Sequence, residues 1–171
     1  MPAAAEVSFE DWVAARGAVL LRFADALCGQ RQRAEDLVQS ALAAAMGRWP
    51  RVAGMAHPEA YLKAMIVNEY LAWWRRRPRT ELPMPAPPED RRLAGADPAA
   101  GQASRDAAWQ LLARLPRRQR AVLVLRYYED LSDEQIAAVL GCTASTVRSN
   151  ATRGLATLRA VLPQLEPEAL P

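Results

Sequence analysis

The chain has 171 residues, which suits one medium domain or two small ones and excludes a large multidomain enzyme. Apolar residues make up 51% and charged residues 24%, a balance that lets the chain bury a core and excludes wholesale disorder. The 22 Lys and Arg against 19 Asp and Glu leave a charge of +3, and Lys63 is the sole lysine, so the positive charge is carried by arginine, whose planar fork suits phosphate and guanine.

Apolar residues recur at three- and four-residue spacing with no β alternation, which predicts an all-α fold. A first helix starts at Ser8, with Asp11 three residues on, turns Phe9, Trp12, Val19, Leu20, Phe23 and Leu27 inward, and stops at Gly29. A second runs from about Gln32 to Trp49 with Leu37, Ala41, Leu42, Ala45, Met46 and Trp49 on its buried side, and Pro50 ends it. Its other side carries Glu35, Asp36, Gln39 and Ser40. After a loop from Arg51 to His57, Pro58 opens a third helix that reaches Arg77. Tyr61, Leu62, Met65 and Ile66 read as its core, whereas it closes on Trp73, Trp74, Arg75, Arg76 and Arg77.

From Arg79 to Ala103 the chain turns to Pro83, Pro85, Pro87, Pro88 and Pro98 among small and charged residues, the composition of a linker. The expected organisation is therefore two small helical domains, residues 1–79 and 105–171, joined by a Pro-rich, flexible segment 80–104. Beyond it Ser104 caps a helix with Trp109, Leu112 and Leu115, and Pro116 begins another with Ala121, Val122, Leu125 and Tyr128. Ser132 and Gln135 form a capping box before Ile136, Val139 and Leu140, and Gly141 stops that short helix. Thr143 caps a longer one, Ala144 to Leu162, with Val147, Leu155 and Leu158 as its buried stripe. Two helices joined by a Gly-containing turn make a helix-turn-helix, whose second helix enters the major groove of DNA by its N-terminal part.

On that second helix Ser145, Arg148, Ser149, Thr152 and Arg153 lie away from the buried stripe, and the face they form is polar, basic and without an acid. Solvated helix faces usually mix Glu with Lys or Arg, so base and phosphate contact is the sharper reading. The cluster Trp73, Trp74, Arg75, Arg76, Arg77 and Arg79 reads either as a helix end favoured by its dipole or as cations beside aromatic faces, the combination that holds single-stranded nucleic acid. Asn68, about one and a half turns earlier, is either a surface residue or an amide that reads a base edge. Glu35, Asp36 and Gln39, beside Ala43, Ala44 and Gly47, form either a solvated edge or a docking surface for a basic partner.

Other classes fall away. No apolar run approaches the about 20 residues needed to span a bilayer, and Met1 to Phe9 lacks a signal pattern, so a cytoplasmic protein is expected. With two cysteines, Cys28 and Cys142, and one histidine, His57, no Cys/His metal cluster can be built, and no disulfide is expected. No nucleophile elbow, phosphate loop or Cys–His signature is present, so neither enzymatic activity nor a cofactor is expected. These residues point to DNA binding and leave its biological role open, from a helix-turn-helix repressor or activator whose N-terminal helices dimerise to a helical adaptor.

The run from Leu112 to Leu162, which contains LPRRQRAVLVLRYYEDLSDEQIAAVLGCTASTVRSNATRGLATLR, closely resembles the promoter-binding C-terminal domain of bacterial sigma factors of the sigma-70 family. AEDLVQSALAAAMGRW, from Ala34, and PEAYLKAMIVNEYLAWWRRRPR, from Pro58, resemble the N-terminal domain of that family. The small two-domain layout is similar to the extracytoplasmic-function (ECF) group, and the WWRRR ending to an actinobacterial branch of it. The resemblance implies a non-catalytic initiation factor that binds core RNA polymerase, through the β′ clamp helices and the β flap, and directs it to promoter DNA; an anti-sigma factor is a further partner it allows. It implies that Asp36 and Gln39, with Glu35, dock on the clamp helices. Asn68, the loop from Val52 to His57, and Trp73 to Arg77 would face the minus-ten element, with Arg75, Arg76 and Arg77 on the backbone. Ser145, Arg148, Ser149, Thr152 and Arg153 would face the minus-thirty-five element. The sequence departs from the family pattern at Asn150, where a basic residue is frequent, and at Thr152, where larger side chains are common.

Overall fold

The computed structural model describes residues 7–76, 108 and 110–161, without the side chain of Trp74, and divides into two units, Met1–Pro78 and Arg79–Pro171. Every regular element among the described residues is helical. The expected linker 80–104, including the Ser104 cap, and Arg77, Arg79 and Trp109 beside it lie outside the described residues.

In the first unit α1 spans Phe9–Cys28. It starts where expected because the Ser8 hydroxyl accepts the Asp11 backbone N–H at 3.1 Å and donates to the Asp11 carboxylate at 2.8 Å, satisfying an otherwise orphaned donor. Gly29 ends it at φ 69, a left-handed conformation glycine adopts without strain, and its N–H reaches the Asp25 carbonyl at 2.7 Å.

The second helix differs from expectation. α2 spans Arg31–Met46, and a separate short helix α3, Trp49–Ala53, follows. Pro50 therefore sits in the first turn of α3 instead of ending α2, where the missing N–H costs nothing. The expected loop is correspondingly shortened to the residues after Ala53. Ala34, Leu37, Val38, Ala41 and Ala45 set the inward stripe of α2, so Met46, rotated by 100° from Ala45, points outward and is 58% exposed instead of buried. Trp49 is buried as expected, but from α3. Its indole N–H donates to the Val7 carbonyl at 3.0 Å, and its ring meets Phe9 edge-on at 5.3 Å and Trp12 at 5.4 Å.

α4, Pro58–Arg76, packs with α1 and α2. Leu20, Phe23, Leu27, Leu62, Ile66, Val67 and Tyr70 are fully buried among the three, and each such large side chain contributes about 1.5–3 kcal/mol relative to exposure. Lys63 lies at the margin of this core. Its ammonium pairs with Glu59 at 2.7 Å and faces the Phe23 ring at 5.6 Å.

In the second unit residues 110–113 are helical, and α5 spans Arg117–Leu123. The Arg120 guanidinium donates to the carbonyls of Leu112 at 2.8 Å, Ala113 at 3.1 Å and Leu115 at 3.4 Å, closing the C-terminal end of the preceding helix. A π turn, Val124–Tyr128, continues α5. The wider turn carries Tyr128 away from the stripe of Ala121, Val122 and Leu125, so Tyr128 is 52% exposed where the helical period had placed it inside.

α6, Asp133–Leu140, opens on the full capping box: Ser132 Oγ accepts the Gln135 N–H at 3.2 Å, and Gln135 Oε1 accepts the Ser132 N–H at 2.8 Å. Gly141, at φ 61, ends it. Thr143 Oγ1 then accepts the Thr146 N–H at 3.2 Å and starts α7, Ala144–Val161. The fully buried side of α7 is Val147, Ala151 and Gly154; Leu155 and Leu158 are only partly buried at its edge. At Gly154 a Cβ would stand 3.1 Å from Leu123 Cδ1, so the absence of a side chain lets α7 approach α5. The arrangement α6–turn–α7 is a helix-turn-helix.

Candidate nucleic-acid interface

The polar residues of α7 form one surface because its inward positions repeat at three- and four-residue intervals. Val147, Ala151 and Gly154 face α5 and α6, which leaves Ser145, Arg148, Ser149, Thr152 and Arg153 exposed on the other side. They begin in the first turn, the part of a second helix that reaches base edges in such motifs. Ser145 Oγ lies 2.9 Å from Thr143 Oγ1. Asn150 turns back on its own helix, its amide donating to the Thr146 carbonyl at 2.8 Å.

α7 contributes no acid to this surface, but α6 does. Asp133, in the first turn of α6, holds Arg126 of the π turn through Oδ1 and stands 3.6 Å from the Arg148 guanidinium through Oδ2. The hydrogen bond from Arg126 to Asp133, and the charge of that carboxylate, raise the Arg126 guanidinium above its ordinary value against a partial desolvation, so it stays a cation at any working pH. Sequence reasoning missed Asp133, which reads as an ordinary acid in a helix first turn; only the turn between α6 and α7 brings it beside Arg148.

In the first unit, Asn68 and Arg75 are two turns apart on α4 and both exposed on one face. Arg75 has no ionic partner among the described residues, whereas Arg76 pairs with Glu69 at 2.8 Å and donates to the Ala72 carbonyl at 3.4 Å. Trp73 is half-buried, and the Arg33 guanidinium of α2 covers one face of its ring at 3.2 Å from the centroid. A base can stack on that face of Trp73 only by displacing Arg33. Trp73 is thus not a bare stacking platform, a feature that sequence spacing alone does not register.

The acidic edge of α2 also divides. Glu35 is paired with Arg31 at 2.8 Å, while Asp36 and Gln39 are exposed, and Asp36 has no ionic partner among the described residues. Ala43, Met46 and Gly47 continue the exposed side of the helix. The geometry offers a surface of small residues and the exposed Met46 with one carboxylate that has no ionic partner among the described residues, suited to a basic helix.

Among the described residues no group of three or more His, Cys, Asp and Glu side chains is placed to hold a metal ion, and no helix is long and apolar enough to cross a membrane. Cys28 is buried, its thiol donating to the Gln30 carbonyl at 3.6 Å, and Cys142 is a half-buried free thiol in the turn between α6 and α7.

The sequence matches two family descriptions, Sigma-70 region 2 over residues 12–80 and Sigma-70, region 4 over residues 105–158. It is 39% identical over 156 residues to an RNA polymerase sigma-E factor of Streptomyces coelicolor, covering 90% of this chain and 85% of that protein. The sigma-E factor of Streptomyces avermitilis is 38% identical over 154 residues, covering 90% and 84%. The fold is similar to that of the sigma factor RpoE solved in complex with the anti-sigma factor NepR from Bartonella quintana, with a TM-score of 0.67 at 23% identity over 91% of this chain and 96% of that one.

Proposed function

Because the chain belongs to the sigma-70 family of bacterial RNA polymerase sigma factors, in its extracytoplasmic-function group, we propose that its two units divide polymerase docking and promoter reading between them. The protein is a sigma factor: it binds core RNA polymerase and directs it to specific promoters for transcription initiation. It is a regulatory subunit with no catalytic activity of its own, and it works in the cytoplasm with the polymerase.

Residues 1–79 form the unit that docks on core polymerase and holds the minus-ten element, residues 105–171 form the unit that reads the minus-thirty-five element, and 80–104 link them. Asp36 and Gln39 are the docking residues on the β′ clamp helices; Glu35, already neutralised by Arg31, contributes less. Asn68, Trp73, Trp74 and Arg75 to Arg77 hold the minus-ten element; Arg75 is exposed and has no ionic partner among the described residues, unlike Arg76. Ser145, Arg148, Ser149, Thr152 and Arg153 face the upstream element, and the same unit meets the β flap. An anti-sigma factor is the regulatory partner consistent with this group.

The observation that carries the reading is the exposed first half of α7, five polar and basic side chains on the second helix of a helix-turn-helix, in a chain whose other unit presents a free carboxylate on α2. Gel filtration of the chain with core polymerase from an actinobacterium tests it. The chain is expected to elute with core enzyme and to give it stable promoter complexes. Elution apart from core polymerase while the chain alone binds DNA as a dimer would overturn the reading in favour of a conventional helix-turn-helix regulator.

A further inference from the structure

The Arg148 side chain is long and 58% exposed, so alone it would sample many rotamers and meet any nearby phosphate as readily as a base edge. It is not alone. Asp133, whose side chain is 17% exposed, presents one carboxylate oxygen to it at 3.6 Å, and Arg126, 25% exposed, holds the other oxygen. The carboxylate is further fixed by its position in the first turn of a helix whose start is set by the Ser132–Gln135 capping box.

We propose that Asp133 is a specificity-determining positioning residue, an anion that holds Arg148 ready for a base edge and makes contact with a backbone phosphate unfavourable. This rests on the assignment of Arg148 to the upstream promoter element. The pair engages Nη1 of Arg148 and leaves Nη2 and Nε, a parallel pair of donors of the kind that bonds guanine O6 and N7 together. Holding the side chain in advance reduces the rotamer entropy lost on binding. A phosphate, in contrast, would approach Arg148 beside a fixed carboxylate, and like charges brought together disfavour that mode. Arg126 prevents Asp133 from turning away to solvent and carries no base contact itself.

The test uses holoenzyme assembled with core polymerase, and affinity measured at several salt concentrations for a matched promoter and for one altered in the upstream element. Asp133→Asn keeps the shape and an oxygen for Arg126 but removes the charge. Glu134→Gln is its control, because it changes the same net charge in the same helical turn without reaching Arg148. Asp133→Asn is expected to raise affinity for the altered promoter roughly two- to fivefold, the scale of one exposed ion pair, and to leave the matched promoter within about twofold. Discrimination therefore falls and salt dependence steepens, while Glu134→Gln leaves discrimination as it was. In an Arg148→Ala background, Asp133→Asn is expected to have no further effect on discrimination, a result that a merely structural role at the start of α6 would not give. Unchanged discrimination in Asp133→Asn, an equal fall in Glu134→Gln, or an undiminished effect without Arg148 would each overturn the proposal. If Arg148→Ala alone leaves discrimination intact, the assignment of Arg148 itself fails, and the role of Asp133 falls with it.

Discussion

Gly154 is where a single atom decides how two helices meet. A Cβ there already stands 3.1 Å from Leu123, which is itself buried, so a branched side chain has no room to relax into. Gly154→Val is expected to lower the stability of the second unit by about 1–3 kcal/mol, read as a fall in the urea midpoint of its unfolding. Among the arginines the expectations differ by neighbourhood. Arg148→Ala should cost about 1–3 kcal/mol on a promoter with the preferred upstream element and much less on one already changed there. Arg75→Ala should weaken holoenzyme binding nearly equally on all promoters and lower the salt slope by about one unit, with a smaller change for Arg76→Ala, which already serves Glu69. Salt titrations of holoenzyme affinity separate these outcomes. The caps at Ser8, Gly29, Ser132, Gly141 and Thr143 were legible in the sequence because each is settled within four residues. Arg33 on Trp73 and Asp133 beside Arg148 were not, because each depends on two helices meeting.

At the scale of elements, periodicity placed the helices but not the breaks between them. The apolar pattern runs through Met46 to Trp49 without interruption, and reading it as one helix put Met46 inside. In fact Gly47 and Arg48 turn the chain, and Trp49 enters the core from α3, drawn by Phe9, Trp12 and the Val7 carbonyl. A π turn likewise adds a residue to the period, and that is what brings Tyr127 and Tyr128 to the surface, at 64% and 52% exposure. The candidate docking edge survives these changes because Asp36 and Gln39 lie early in α2, ahead of the break. Asp36→Arg is expected to weaken binding to core polymerase by about 2 kcal/mol or more, the scale of a desolvated interfacial charge pair, with helical circular dichroism unchanged. Glu35→Gln, which removes a carboxylate that Arg31 already occupies, should cost less. Equal core affinity in wild type and Asp36→Arg would remove Asp36 from the docking surface.

For the whole molecule, the all-α class and the second unit's helix-turn-helix were readable because regular periods and local turn chemistry write them directly. The function was readable for a different reason: two separate stretches resemble two regions of one family in the same order, and both regions match. Physics alone pointed to a candidate DNA-reading helix and a charged helix end; it did not say that one protein uses both on a polymerase. Run-off transcription from a library of genomic fragments, with core polymerase and this chain as the only added factor, shows whether the two units act together on a polymerase. The chain is expected to turn diffuse initiation by core enzyme into a few discrete start sites that share an upstream and a downstream element, and Arg148→Ala to relax the upstream one. Start sites that are the same with and without the chain would show that it does not direct the polymerase.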